Sequence, residues 1–181
     1  MNKKTIGSVI VGVMLIAVAV AAQDAKKPDA KKRPSPAATA DATLKGKPVS
    51  IAYSQPSARG RKIVGGLVPY DQVWRTGAND ATTLKTETDL NIGGTTVPAG
   101  TYTLYSLPSA DGWKLIINKQ TGQWGTEYHQ EQDLARVDMQ KEALKAPVET
   151  FVINFEPKTN PTALVMEWEN TKLSVPVSAA K

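Results

Sequence analysis

From Leu90 to Val177 the chain repeats one pattern. Short runs in which apolar and polar residues alternate are separated by clusters of Gly, Pro, Asn and Asp. Successive side chains of a strand point to opposite faces, whereas a helix returns to the same face only every 3.6 residues, so this spacing predicts a sheet. Residues 101–107 and 113–118 flank the turn cluster 108–112 and read as an antiparallel hairpin. Leu90–Ile92 and Thr95–Val97 flank Gly93-Gly94, and residues 162–169 and 172–177 flank Asn170-Thr171, which predicts two more hairpins. Phe151, Ile153 and Phe155, and then Leu164, Met166 and Trp168, give these strands one larger apolar face, the expected core. Residues 49–54, 82–88 and 134–140 bring the total to about nine short strands. The expected fold is all-β: a single antiparallel β-sandwich of jelly-roll type. Residues 131–144 lack Gly and Pro and have helical propensity, but Ala135, Val137 and Met139 also alternate. No internal repeat is visible.

The N-terminus points to export. Lys3 and Lys4 precede an uncharged apolar run over residues 6–22 that ends in Val20-Ala21-Ala22, small residues suited to a signal peptidase. The alternative is an uncleaved anchor, but the run falls short of the roughly 20 apolar residues that span a bilayer. The chain has no cysteine, which excludes a lipid-modified N-terminus, a disulfide scaffold and a cysteine nucleophile. Residues 23–47 are mostly Ala, Lys, Pro and Asp and read as a disordered linker. The expected organisation is a signal peptide at 1–22, this linker, and a β-sandwich domain at 48–181. The formal net charge of +5 is concentrated in residues 1–41, which leaves about +1 on residues 42–181. A nucleic-acid-binding face spread over the domain is therefore not expected. The expected localisation is periplasmic or secreted, and the membrane would be touched only through the N-terminal segment if it stays uncleaved.

Chemistry concentrates in residues 53–79. Arg59, Arg61, Lys62 and Arg75 face a single acid, Asp71, while Tyr53, Tyr70 and Trp74 supply flat apolar faces. Guanidinium groups hold carboxylate or phosphate in a planar fork, and Gly60 and Gly77 let the backbone approach such a group. Trp74 and Tyr70 suit stacking on a sugar ring, with Thr76 and Asn79 binding its hydroxyls. The candidate ligand-binding residues are thus Tyr53, Arg59, Arg61, Tyr70, Trp74, Arg75, Thr76 and Asn79. A structural role competes with this. In it Trp74 fills the end of the sandwich, Thr76 and Asn79 satisfy loop backbone, and Arg75 pairs with Asp71 or Asp80. Glu127, His129, Glu131 and Asp133 would share one face if extended, but His129 is the only histidine, and a solvated acidic loop is favoured over a metal site. No nucleotide-binding glycine motif and no serine-nucleophile elbow occurs, so no cofactor is expected.

The residues of the first block, with Gly60-Arg61, Gly65 to Tyr70 and Val73 to Asn79, then Pro98-Ala99-Gly100-Thr101-Tyr102, Asn118, Trp124-Gly125, Glu149-Thr150-Phe151 and Trp168-Glu169, resemble a family of exported bacterial proteins. It is known as domain of unknown function 2911. Gln55 stands where that family more often has Arg, and Val64 where it more often has Phe. The resemblance implies an exported all-β domain with no established activity. The expected function is an exported binding module for an anionic or carbohydrate-like small molecule or an envelope component. Two alternatives remain: an envelope interaction domain that adds a partner strand at an open sheet edge, and a carbohydrate-active hydrolase using two facing carboxyl groups.

Overall fold

The computed structural model describes residues 35–110 and 112–181. The expected signal peptide and residues 23–34 of the expected linker lie outside the described residues. Nine strands run in chain order as β1 (Ala37–Leu44), β2 (Lys47–Ser54), β3 (Thr83–Thr86), β4 (Leu90–Ile92), β5 (Thr95–Val97), β6 (Gly100–Pro108), β7 (Trp113–Asn118), β8 (Asp133–Glu156) and β9 (Thr162–Ala179). They form one antiparallel sheet in the order β1-β2-β3-β6-β7-β8-β9-β4-β5. Helical geometry among the described residues is limited to a 3₁₀ turn at Gln130–Gln132.

Two long strands carry the sheet from one layer of the sandwich to the other. The start of β8 pairs with β7, from Asp133 opposite Asn118 to Met139 opposite Trp113, and from Gln140 onward β8 pairs with β9. The β8–β9 register shifts between Ala143 and Val148 and again between Val148 and Val152. Such irregularities bend a strand and let it change layers. The inner faces then meet in one core. Ala40, Ile51, Leu84 and Tyr102 sit opposite one another across β1, β2, β3 and β6. They share a single buried cluster with Leu115 and Val137 and with Ile153, Phe155, Leu164, Met166 and Trp168.

The expected all-β sandwich is therefore the observed fold, and the hairpins at Gly93-Gly94 and at 108–112 form as expected. Two expectations are corrected. The linker does not extend to residue 47, because Ala37–Leu44 is the edge strand β1, joined to β2 by Lys45 (φ 49°) and Gly46 (φ 73°). Its alternation rests on Ala40, Ala42 and Leu44, whose inward side chains are buried, and alanine is too small to register as an apolar signal by composition. The hairpin at Asn170-Thr171 does not form either. β9 runs straight through it, with Thr171 opposite Ala143 on β8 and only a local kink where Glu169 takes φ 51°.

The sheet edges are poor templates for a partner strand. β5 is three residues long and is followed by Pro98. β1 carries Asp41, and its Thr43 N–H already donates to Lys158 O at 3.2 Å. Residues 140–148 of β8 are interrupted by Lys141, Glu142, Lys145 and Pro147. Charges, prolines and short length are the usual devices that block edge pairing.

Candidate functional site

Residues 55–80 leave β2, cross the end of the sandwich and return to β3, held by backbone pairing to distant strands. At the β8 irregularity, Glu149 O accepts from Ala58 N at 2.8 Å, and Phe151 N donates to Pro56 O at 2.9 Å. Residues 149–151 thus take 56–58 as a short pairing partner where β9 has shifted away. A tight turn follows: Arg61 N donates to Ala58 O at 3.0 Å, with Arg59 at φ 52° and Gly60 at φ 70°. The left-handed region is costly for Arg59, and the Glu149 carboxylate compensates by accepting from Arg59 N at 2.8 Å. Further on, Trp74 and Ser106 exchange both backbone hydrogen bonds, at 2.8 and 2.9 Å, docking the block onto β6.

A second loop, residues 119–129, covers the outer face of β6. Gly125 N donates to Asn79 O at 3.1 Å, and Tyr105 Oη donates to Glu127 O at 2.6 Å. There is no room for a side chain at Gly125, where a Cβ would lie 2.8 Å from both Asn79 O and the Arg75 Cδ. Between the two loops lies a half-open cavity of about 540 Å³. Arg59, Arg61 and Arg75 line it together with Trp74, and among the described residues no Asp, Glu, Lys or His does. The Trp74 ring is stacked on Trp168 at 5.7 Å and 23°, and meets Phe151 edge-on at 5.1 Å. Tyr105, Tyr128 and Trp168 complete the aromatic lining.

The arginines are held without losing their charge. Arg61 donates Nε to Ala58 O at 2.9 Å and Nη2 to Ser57 O at 2.7 Å. Arg75 is half-buried and donates Nε to Gly77 O at 3.4 Å. The Arg59 guanidinium has no partner among the described residues. Carbonyl oxygens orient a guanidinium but do not neutralise it, and the ion pairs among the described residues involve none of these three arginines. The expected strut from Arg75 to Asp71 or Asp80 is therefore not among them.

Four of the eight sequence-derived candidates, Arg59, Arg61, Trp74 and Arg75, meet at this cavity, and four do not. Tyr53 is a core residue whose Oη accepts from Ile153 N at 3.0 Å and donates to Ile153 O at 3.3 Å. Thr76 is fully buried, with Oγ1 donating to Ser106 Oγ at 3.0 Å, and its O accepts from Thr82 Oγ1 at 2.7 Å. Those bonds hold a β-branched residue at φ 52°. Asn79 spends its amide on Ser35 O and Ser54 Oγ. Tyr70 is exposed and packs over Gly65 away from the cavity. Gln55 is structural too, donating Nε2 to Tyr53 Oη and Phe151 O.

Sequence reasoning missed Tyr105, Tyr128 and Trp168 as cavity residues. Tyr105 Oη also accepts from Gln123 Nε2, and burial pushes its pKa up. Tyr128 Oη donates to Asp133 Oδ2 and accepts from Arg136 Nη2, both at 2.7 Å. Burial first, and the Asp133 carboxylate second, push its pKa up to about 12. The acidic segment does not converge on a metal. The 3₁₀ turn at Gln130–Gln132 breaks the extended geometry, so His129 pairs with Glu131 at 3.1 Å while Asp133 turns to Tyr128 and Arg136. No group of three metal-capable side chains forms among the described residues.

No curated protein and no solved structure matches the chain. Residues 35–177, which include both loops and every strand but the end of β9, match the family described as "Protein of unknown function (DUF2911)", and the chain belongs to that family.

Proposed function

We propose that the protein is an exported binding module, periplasmic or secreted, whose cavity between residues 55–80 and 119–129 holds an anionic, carbohydrate-like small molecule. One observation carries this reading: Arg59, Arg61, Arg75 and Trp74 line one cavity with no carboxylate among its described lining residues. Side chains that serve only to brace loops are spent on partners, as Thr76 and Asn79 are. Arg59, Arg61 and Arg75 form no ion pair among the described residues, and Arg59 and Arg75 leave most of their donors open to the cavity, where guanidinium forks can take an anion. The stacked aromatic wall supplies the apolar face against which a sugar ring packs. A hydrolase has less support, since glycoside hydrolysis needs two carboxyl groups flanking the bond and none lines the cavity among the described residues.

The test is a thermal-shift screen of sugar acids, phosphorylated sugars and peptidoglycan fragments against wild type and Arg75→Gln. A ligand that raises the wild-type melting temperature and loses this effect in Arg75→Gln supports the reading. If no compound shifts wild type, or if hits shift both proteins equally, the cavity is not the binding site.

A further inference from the structure

Resting on the reading of the cavity as an anion site, we infer that its ligand is a phosphomonoester carried on a polyhydroxylated ring rather than a sugar carboxylate. The first argument is charge. Residues 35–181 are formally neutral overall, yet three arginines line one cavity with no acid among its described lining residues. A carboxylate would neutralise one of them and leave two cations facing each other across a partly enclosed space. A phosphomonoester brings about −1.5 to −2 at neutral pH, a closer match.

The second argument is direction. Arg59 and Arg61 stand on either side of Gly60 in one tight turn, while Arg75 comes from a different segment of the loop. Arg61 has committed Nε and one Nη2 hydrogen to carbonyls and keeps Nη1 and the other Nη2 hydrogen, whereas Arg75 has committed only Nε and keeps both outer nitrogens. A carboxylate has two oxygens in one plane and is satisfied by one fork. A phosphoryl group has three terminal oxygens pointing in different directions and accepts from several guanidinium groups at once. The ring half of the inference rests on the stacked Trp74–Trp168 pair and on the polar side chains of Gln72 and Thr126 in the same lining; the Ser57 hydroxyl beside them is paired with Thr150 Oγ1 at 3.3 Å.

The protein offers little to confuse a pH test between pH 5 and 7.5. Among the described residues the titratable groups lining the cavity are the three arginines, Tyr105 and Tyr128, and both tyrosines are pushed up from their ordinary value. Outside it, Glu149 bonds Arg59 N, Glu169 bonds Ile63 N, Glu127 precedes Tyr128 by one residue, and Asp133 pairs with Tyr128 and Arg136. His129, paired with Glu131, is the one imidazole of the chain, and His129→Gln is the control for a protein-side titration.

The experiment is calorimetric titration of the full chain with glucose 6-phosphate, glucuronate and inorganic phosphate at pH 5.0 and 7.5, in wild type, His129→Gln, Arg59→Ala and Arg75→Gln. The second phosphate ionisation lies near pH 6, so about a tenth of the phosphomonoester is dianionic at pH 5.0. We expect glucose 6-phosphate to bind at least about tenfold more tightly than glucuronate at pH 7.5, and to weaken about tenfold at pH 5.0 in both wild type and His129→Gln, as a dianion requires. Each arginine substitution should weaken it about tenfold or more. Glucuronate binding as tightly as glucose 6-phosphate, with no pH step, overturns the phosphate assignment and leaves an anion site. Inorganic phosphate binding as tightly as glucose 6-phosphate overturns the ring assignment. Saturable binding that both arginine substitutions leave unchanged overturns the anion site itself.

Discussion

Replacing Trp168 by Ala tests the core and the cavity together. Trp168 is 5% exposed on β9 and belongs to the same buried cluster as Leu164 and Met166. Its ring stacks on Trp74 at 5.7 Å and tilts against Phe151 at the same distance. Truncating a buried Trp to Ala costs about 3–5 kcal/mol through lost transfer energy and the void that remains. The lost indole hydrogen bond adds little. Glu149 O accepts from Trp168 Nε1 at 3.1 Å but also from Ala58 N at 2.8 Å, so the carbonyl keeps a donor when the indole goes. The void will not close easily, because Trp168 separates the large cavity from a small apolar one lined by Ile63, Val68, Trp113 and Met166. A domain of this size loses about 2–4 °C of melting temperature per kcal/mol, so the expected drop is roughly 6–20 °C. Urea titration followed by tryptophan fluorescence, beside a thermal melt, reads both numbers. Trp168→Phe keeps an aromatic ring in place and should retain most of the stability. A loss below about 1 kcal/mol for Trp168→Ala would mean that this wall is not packed as described, and would refute the reasoning.

Four further outcomes are expected. Arg75→Gln should change the unfolding free energy by less than about 1 kcal/mol, since it gives up one long hydrogen bond to Gly77 O; a buried strut would cost about 3–5 kcal/mol in the same urea titration. Gly125→Ala should destabilise by about 1–3 kcal/mol because its Cβ meets Asn79 O and the Arg75 side chain at 2.8 Å, whereas Gly112→Ala, with nothing within 4 Å, should be near neutral. Tyr128 has its pKa raised to about 12, so the folded state holds its proton more tightly than the unfolded chain; its contribution is fully present below about 10 and is lost as pH rises through about 12. Stability measured across that window should therefore fall less steeply in Tyr128→Phe than in wild type, and equal slopes would contradict the assignment. Mass spectrometry of the envelope fraction should find a mature N-terminus near Ala22 or Gln23, and an intact Met1 in the membrane pellet would contradict export by cleavage.

The parts of the fold legible in the sequence are those encoded by neighbouring residues. Gly93-Gly94 announces its turn because both residues take positive φ, 55° and 89°, and the alternation of Tyr102 and Leu104 with Thr101 and Thr103 announces β6. What escaped depends on partners far along the chain. Asn170-Thr171 has the composition of a turn, but a long partner strand, β8, lies beside it and pairing continues across. β1 depends on Ile51 and Val49 to bury its alanines. The same division runs through the site. Arg59, Arg61, Trp74 and Arg75 lie close together in sequence and could be read as one block. Tyr105, Tyr128 and Trp168 join them only once β6, the 119–129 loop and β9 have packed, and no local pattern distinguishes Tyr105 on the outer face of β6 from the core residues on either side of it.

The cost of building the block points the same way as its charge. Among the described residues six that are not glycine have positive φ, and four of them, Arg59, Asp71, Thr76 and Asn79, lie between residues 59 and 79. Asp and Asn tolerate that region, but Arg59 and the β-branched Thr76 do not, at about 1–2 kcal/mol each. The surroundings fix both. The Glu149 carboxylate holds Arg59 N, and Ser106 Oγ and Thr82 Oγ1 hold Thr76. If the loop served only to close the end of the sandwich, glycine at these two positions would remove the strain. Thr76 instead fixes the backbone next to Arg75, and the Arg59 conformation presents its side chain to the same cavity. Strain kept beside two cavity-lining cations, and braced by hydrogen bonds from three separate segments, is what the proposed binding loop would require for preorganisation.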